Sequence, residues 1–120
     1  MAEHNETGKW GEKVARDYLL AQGYAIMGEN VRIGNMEIDI IAMKDSSICF
    51  VEVKTRSTDF KDAADAVDSR KRSRMVRAAD AYVRAYDIPH DPQLDIILVI
   101  GNPMKYTLEH IPDAFYSIDS

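Results

Sequence analysis

Four charged residues lie on two neighbouring segments whose side chains alternate in the manner of β-strands: Glu37 and Asp39 on the first, Glu52 and Lys54 on the second. The polar segment 44–47 between them predicts a hairpin turn. The register of that hairpin sets Asp39 opposite Glu52 and Glu37 opposite Lys54. Because side chains two residues apart point to the same side of a strand, all four charges are predicted to share one face of the sheet.

Two facing carboxylates need a compensating positive charge. Directly opposed residues have Cβ atoms about 4.5–5.5 Å apart, and like charges at that separation destabilise an antiparallel pair. Mg²⁺ and Mn²⁺ prefer hard oxygen ligands, so Asp39 and Glu52 are suited to hold such an ion together with a backbone carbonyl, water and a substrate phosphate. The ammonium of Lys54 would then orient or help to deprotonate an attacking water, or stabilise negative charge on a phosphate.

A second interpretation of this patch is a solvated hairpin surface, in which Glu37 pairs with Lys54 and Arg56 neutralises Glu52. The neighbouring residues favour the metal site, because apolar side chains cover the opposite face and also flank the charges, as is typical of the interior of a sheet. Arg56 either contacts a phosphate or lies in solvent at the end of its strand. The residues of the opposite face are Ile38, Ile40, Val51 and Val53, and the flanking residues are Ile41 and Phe50.

Glu12 is a further candidate because of its position on the first predicted helix. On helical spacing it lies in line with Gly8 and Leu19, beside an apolar stripe. The alternative is an ion pair with Arg16, four residues on, which stabilises a helix by only about 0.2–0.5 kcal/mol. Gly8 and Gly11 weaken a helix and indicate a close approach of backbone or substrate near this end. We therefore expect Glu12 to take part in the site.

The hydropathy pattern predicts an α/β fold in which helices pack against a mixed sheet. Apolar residues at successive positions of segment 94–100 indicate a strand covered on both faces, and the helix before it predicts a parallel crossover. Segment 55–69 is polar and is expected to be a partly ordered loop. In chain order, the predicted elements are a helix over 6–22, strands over 24–32, 36–43 and 48–54, a helix over 69–87, and strands over 94–100 and 105–111.

The second predicted helix carries a basic face. Residues 54–84 contain nine Lys or Arg and five Asp, whereas the rest of the chain contains six basic and fifteen acidic residues. The net charge of −5 argues against a protein that coats nucleic acid nonspecifically, but the local excess allows a polyanion to dock on one side. An ordinary solvated helix face is the alternative. The arginines opposite the apolar side of this helix are Arg70, Arg74, Arg77 and Arg84.

Length and composition narrow the class of protein. The 120 residues, 46% hydrophobic and 29% charged, predict one globular domain over 1–120. The chain has no run of about 18 apolar residues and begins with a polar segment, so neither a membrane span nor a secretion signal is expected, and a cytoplasmic location is predicted. Cys49 is the single cysteine and lies in an apolar segment, where packing is its predicted role.

The segments MEIDIIA and FVEVKTR resemble the signature of the PD-(D/E)XK nuclease superfamily, which has an Asp on one hairpin strand and Glu-x-Lys on the next. More specifically, the chain resembles the bacterial YraN family, which is similar to archaeal Holliday junction resolvases. The likeness covers nearly the whole chain and is carried by GKWGEKVARDYLLAQGY, by NVRIGNMEIDIIA, by ICFVEVKTR, and by AVDSRKRSRMVRAADAYV with the following LDIILV. It implies a restriction-endonuclease-like mixed β-sheet flanked by helices, with an α-β-β-β-α-β core.

The resemblance also implies roles for individual residues. It points to Lys71, at the start of the second helix, as a contact of the site or of a phosphate, with a solvated lysine as the alternative. Asp95 recurs in the pattern, and a structural hydrogen bond is one interpretation of it. The chain departs from the pattern at Met36, where the family usually has glycine, and at Ile38, where some members have proline. The implied metal ligands are Glu12, Asp39 and Glu52, and the implied active-site lysine is Lys54.

These observations together predict a metal-dependent endonuclease that hydrolyses DNA phosphodiesters, with branched or single-stranded DNA as substrate and Mg²⁺ or Mn²⁺ as cofactor. Resolving a junction requires two cuts related by a two-fold axis, so a homodimer is expected. One alternative is a nucleic-acid-binding or protein-interaction module that keeps the fold without turnover, and another is a metal-free scaffold whose acidic surface binds a protein. The residues predicted to contact DNA are Arg56, Arg70, Lys71, Arg74 and Arg77.

Overall fold

The structure, a computed structural model, describes residues 2–57 and 69–114. The predicted order of elements is confirmed. The first helix begins four residues before its predicted start, the fourth strand is two residues longer at each end, and the second helix ends two residues earlier, while the third strand includes residues 55 and 56 of the predicted loop. Of the predicted loop 55–69, residues 58–68 lie outside the described residues. The elements are α1 (Ala2–Ala21), β1 (Ala25–Ile33), β2 (Met36–Lys44), β3 (Ser47–Arg56), α2 (Ser69–Ala85), β4 (Pro92–Asn102) and β5 (Lys105–Ile111).

The five strands form one mixed sheet whose spatial order follows the chain, β1-β2-β3-β4-β5. All neighbours are antiparallel except β3 and β4, which are parallel from Ile48–Pro92 to Arg56–Ile100. Parallel neighbours need a crossover connection, and α2 lies within it. The fold is therefore α/β, a mixed sheet with two helices, consistent with the restriction-endonuclease-like architecture.

The two helices cover opposite faces of the sheet. Leu19 of α1 packs in a cluster with Val51, whereas Met75 of α2 packs in a second cluster with Phe50. Successive residues of β3 thus alternate between the two clusters, and the same alternation places Glu52 on the face that α2 covers. Within the described residues, no helix is long and apolar enough to cross a membrane.

Helix α1 approaches β3 closely at Gly11. A Cβ atom at this position would lie 2.0 Å from Oγ1 and 3.2 Å from Cβ of Thr55. The close approach expected near this end of the helix is therefore a contact with the sheet. At Gly8, three residues earlier, an added Cβ would meet no described atom within 4 Å.

The substitution Gly11→Ala is expected to lower the free energy of unfolding by about 1–2 kcal/mol, because Cβ of Thr55 is fixed to its strand and cannot rotate away. Gly8→Ala is the matched control and is expected to raise that free energy by about 0.5–1 kcal/mol, since alanine favours the helix. Urea denaturation would measure both values. Equal stabilisation by the two substitutions would contradict the contact with Thr55.

Asp95 is fully buried near the start of β4 and accepts hydrogen bonds from three directions. Its Oδ1 accepts bonds from Nε2 of Gln93 and from the backbone N–H of Asp113, each 3.0 Å long, and its Oδ2 lies 2.7 Å from Nε2 of His110. Nδ1 of His110 lies 2.9 Å from the hydroxyl of Tyr18. These bonds tie β4 to β5, to the turn after β5 and to α1, so the interpretation of Asp95 as a structural hydrogen-bonding residue is confirmed.

Candidate active site

Strand β2 separates from β3 at Asp39. Among the described residues, the paired register of these strands ends at Ile40–Val51 on the side away from the hairpin turn. Beyond that pair, Oδ2 of Asp39 accepts a hydrogen bond of 2.9 Å from the backbone N–H of Val53. A carboxylate thus bonds to the neighbouring strand at the point where the regular ladder has stopped, and it lies in the opening between the two strands.

The predicted face-to-face pairing of charged residues is therefore wrong. The hairpin register agrees with the predicted one as far as the ladder extends, but the pairs Asp39–Glu52 and Glu37–Lys54 lie beyond its end in the described structure. The two carboxyl groups are nonetheless close enough to interact, because the charge of Glu52 raises the pKa of Asp39. The hydrogen bond from the backbone N–H of Val53 holds the Asp39 carboxylate beside β3, next to Glu52.

The separation coincides with an irregularity in β1. Asn30 falls opposite Asp39 by the register of the pairs on either side, and its φ of 52° lies in the left-handed region. Asparagine tolerates that conformation better than most residues, so an asparagine within a short strand is the signal that could have indicated this site. The alternation of β2 also breaks here, because Ile38 packs on the α2 side and Ile40 on the α1 side. The prediction that both share one face is wrong.

Glu52 is the centre of the charged cluster. The residue is 4% exposed, and its Oε2 accepts a hydrogen bond from Nζ of Lys71 and lies 3.5 Å from Nζ of Lys54. Lys54 lies on the same strand as Glu52, whereas Lys71 lies in the first turn of α2. A buried carboxylate requires such pairing to offset its desolvation. Lys71 is therefore a residue of the candidate site.

Burial raises the pKa of the Asp39 carboxyl to about 7, and the negative charge of Glu52 acts in the same direction. The hydrogen bond from Val53 and the ammonium of Lys71 oppose this rise without cancelling it. Asp39 is thus a carboxyl that lacks sufficient positive charge around it. An additional cation beside it would favour its ionised form.

The two lysines differ in their electrostatic surroundings. Burial lowers the pKa of Lys54, and the positive charge of Lys71 lowers it further, although Glu52 acts in the opposite direction. Burial also disfavours the charged form of Lys71, but the hydrogen bond and the charge of Glu52 outweigh it, so the pKa of Lys71 is raised. Lys71 is therefore the persistent positive charge of the cluster, and Lys54 is the ammonium that gives up its proton more readily.

Glu12 reaches the same region from α1. Burial raises the pKa of Glu12, and the charges of nearby glutamates, Glu52 among them, act in the same direction, although the neighbouring side chain of Asn30 opposes the rise. Arg16, the alternative partner of Glu12, instead places Nη1 3.5 Å from Oε1 of Glu29. Glu12 therefore lies in the electrostatic environment of the site.

The carboxylates of Asp39 and Glu52 are the acidic donors that the candidate site offers to a divalent cation. Within the described residues, no group of three His, Cys, Asp or Glu side chains is arranged to hold a metal ion, so Glu12 does not complete a three-carboxylate site here. Asp39 and Glu52 alone are still a suitable pair, because proteins commonly bind Mg²⁺ through one or two carboxylates and leave other positions to water and substrate phosphate. The raised pKa of Asp39 agrees with a site that favours added positive charge.

The predicted nucleic-acid contacts extend from this cluster along α2. Arg56, at the exposed end of β3, donates a hydrogen bond of 3.0 Å from Nη1 to the carbonyl of Thr55, and its charge contributes to the lowered pKa of Lys54. The buried side of α2 includes Met75 and Ala79, so the basic side faces solvent. The exposed arginines on that side are Arg70, which precedes Lys71, and Arg74 and Arg77, which follow it.

The chain is similar in sequence to a group of bacterial proteins. The family described as "Uncharacterised protein family UPF0102" matches residues 11–99, which include Glu12, Asp39, Glu52, Lys54 and Lys71. A UPF0102 protein of Bacteroides thetaiotaomicron is 49% identical over 117 residues, with 97% of each chain covered. One of Flavobacterium psychrophilum is 41% identical over 117 residues, covering 97% of this chain and 98% of that protein. With a family match over most of its length and relatives at this identity, the chain belongs to the UPF0102 family.

Proposed function

We propose that this protein hydrolyses DNA phosphodiester bonds with Mg²⁺ or Mn²⁺ as its cofactor. The observation that carries the proposal is the convergence of Asp39, Glu52, Lys54 and Lys71 where β2 separates from β3, with the pKa of Asp39 raised to about 7. Strongly shifted carboxyl pKa values beside specific charge partners are concentrated at functional sites. The resemblance of the Asp and Glu-x-Lys motifs to the PD-(D/E)XK signature, and of the chain to the YraN family, supports the same reaction.

Each residue has a distinct part in the proposed mechanism. Asp39 and Glu52 would hold the cation, which supplies Lewis-acid polarisation of the phosphate and a lowered pKa for water. Asp39 has to be ionised to act as a ligand, so it releases a proton near neutral pH when it does so. Lys54, with its lowered pKa, would orient the attacking water and, in its neutral form, accept the proton that the water loses as its oxygen bonds to phosphorus and the ester oxygen leaves. Lys71 maintains positive charge beside Glu52.

The basic side of α2 would hold the DNA strand. Contacts from arginines to phosphates position a strand without reading its sequence. With Arg74 and Arg77 following Lys71 on one helix, and Arg70 just before it, the strand would run from the candidate site along α2. Branched or single-stranded DNA is the proposed substrate, and paired cuts in a branched substrate would require a homodimer. A DNA substrate implies action in the cytoplasm.

The proposal is tested by incubating the protein with four-way, flap and single-stranded DNA in Mg²⁺ or Mn²⁺, and with EDTA in parallel. Cleavage that depends on the cation is expected, and Lys54→Ala is expected to lower its rate by about 10²-fold, a typical contribution of general acid–base catalysis. Equal rates for the native protein and Lys54→Ala would identify a contaminating nuclease. Absence of cleavage on all three substrates would contradict the proposal.

A second candidate is a nucleic-acid-binding module without turnover. It is favoured by the two ammonium groups that already neutralise Glu52, because such a cluster is stable without a metal ion. Calorimetric titration with Mn²⁺ separates the two candidates. Uptake that is lost in Glu52→Gln supports the hydrolase, whereas no uptake, combined with DNA binding that weakens steeply as salt rises, supports the binding module.

A further inference from the structure

A groove runs between α2 and the turn that joins β1 to β2. Its volume is about 330 Å³, within the range of small-molecule sites. It continues into a second depression of about 300 Å³ along the same helix, and both depressions share Arg74 and Arg77. The apolar lining of the first consists of Ile33, Met36, Ala78 and Ala81.

The arginines of this groove are available for an anion. Arg84, one turn or more beyond them, pairs with Asp80 through Nη2 and Oδ2 at 3.1 Å. Arg70, Arg74 and Arg77 are exposed and form no ion pair with any residue that the structure describes. The groove therefore combines an apolar floor with guanidinium groups that no described residue neutralises.

This combination fits a nucleotide better than a bare phosphate backbone. Phosphates require cations alone, whereas an apolar surface beside them matches the flat face of a base, as in sites for single strands. Bases inside a duplex are stacked and paired, and cannot reach the floor of a groove between a helix and a turn. An unpaired nucleotide presents both its base and its phosphate.

The groove also lies at a suitable distance from the candidate active site. Lys71 and Arg77 belong to the same helix, six residues apart. At about 1.5 Å of rise per residue, they are separated by about 9 Å along the axis. A nucleic-acid strand advances by about 3.4 Å per nucleotide in helical geometry, so the groove is within about three nucleotides of a phosphate held at the site.

We propose that this groove binds an unpaired nucleotide, with its base against Ile33, Met36 and Ala81 and its phosphate on Arg74 and Arg77. The choice of a nucleic acid as the ligand rests on the proposed function. The groove would hold a strand only where it is unpaired and would thereby present the neighbouring phosphodiester to Glu52 and Lys54. Substrates with single-stranded segments are then preferred to continuous duplex.

The phosphate contact is tested with fluorescently labelled oligonucleotides, by anisotropy in EDTA, where no cation-dependent cleavage occurs. Arg77→Gln is expected to weaken binding of single-stranded DNA by about 5–10-fold and to reduce the slope of log K against log salt by about 0.7. Arg84→Gln removes the same charge from the same helix outside the groove and is expected to change binding by less than about 2-fold. Equal losses for both variants would overturn the proposal.

The base contact is tested with Ala81→Gln, which fills the groove without changing charge, and with Ala85→Gln as a control at another exposed position of α2. Ala81→Gln is expected to weaken binding of single-stranded DNA by about 5-fold, and to have no effect on duplex or on a strand whose bases have been removed. Equal effects on intact and abasic strands, or no binding to any strand, would overturn the proposal. The same measurement with RNA and with DNA oligonucleotides shows which sugar the bound nucleotide carries. Weaker binding of either kind of strand by Ala81→Gln supports the site.

The measurement is independent of catalysis. If single strands bind through the groove but no DNA is cleaved in Mg²⁺ or Mn²⁺, the nucleotide site stands and the hydrolase proposal fails. If cleavage occurs while Arg77→Gln and Ala81→Gln bind as the native protein does, the nucleotide site fails and the hydrolase proposal stands. A Tm within about 3 °C of that of the native protein shows that each variant is folded.

Discussion

Replacing Asp39 with asparagine is expected to reduce DNA hydrolysis by about 10³-fold without weakening DNA binding. The neutral amide is a poor ligand for Mg²⁺, and a bound cation contributes several kcal/mol to stabilising the transition state, at 1.36 kcal/mol for each tenfold change in rate. The amide oxygen can still accept the hydrogen bond from Val53, so the local backbone is preserved. Initial rates at saturating Mg²⁺ would measure the effect.

Glu109→Gln is a control for the loss of one negative charge, because Glu109 is exposed on the edge strand β5, two strands away from Lys54. This variant is expected to cleave at the native rate. Asp39→Asn could instead retain more than about a tenth of the native rate of hydrolysis. That loss of rate would be smaller than the loss usually caused by removing a single catalytic hydrogen-bond donor, and it would show that Asp39 does not hold the cation.

The same substitution is expected to stabilise the protein in EDTA at about pH 8 by about 3–4 kcal/mol. The pKa of Asp39 is raised from 3.8 to about 7 in the folded state, so burial disfavours its carboxylate relative to the unfolded chain. The contribution of the protonated carboxyl is fully present below pH 3.8 and is lost as pH rises through about 7. Asparagine stays neutral at every pH, so the variant does not lose this stability as pH rises.

Urea denaturation of both proteins across this pH range tests the expectation. The gap between native protein and Asp39→Asn should be largest at about pH 8 and close by about pH 4. Added Mg²⁺ should raise the free energy of unfolding of the native protein at the higher pH and leave that of the variant unchanged, because only the native site binds the ion. Asp91→Asn, at an exposed position, controls for net charge. A gap independent of pH would contradict the raised pKa.

The positions of Glu52 and Lys54 could be predicted from the sequence because alternation along a strand is a local property. Two residues separated by one position share a face whichever elements lie beside them. The basic and apolar sides of α2 were predictable for the same reason, with the period of a helix. The hairpin register was also predictable, because a short turn determines which residues face each other.

The same local reasoning was wrong at Asp39 because a turn does not determine where a ladder ends. That point coincides with the left-handed conformation of Asn30 on a third segment, outside the hairpin. The break in alternation between Ile38 and Ile40 belongs to the same distortion. The expected convergence of Asp39 with Glu52 therefore occurs, but through a side-chain bond to Val53 in place of direct opposition.

The sequence by itself determined the types of chemical group and their spacing along each element. It also determined the faces of β3 and α2, because the backbone period is unbroken there. Only the tertiary structure decided that Lys71 bonds Glu52, that Glu12 lies beside Asn30, and that His110 joins Asp95 to α1. These contacts join residues distant in the chain, and their geometry depends on how the helices pack on the sheet. The raised pKa of Asp39 has the same origin, since burial by several elements removes the water that would otherwise stabilise its charge.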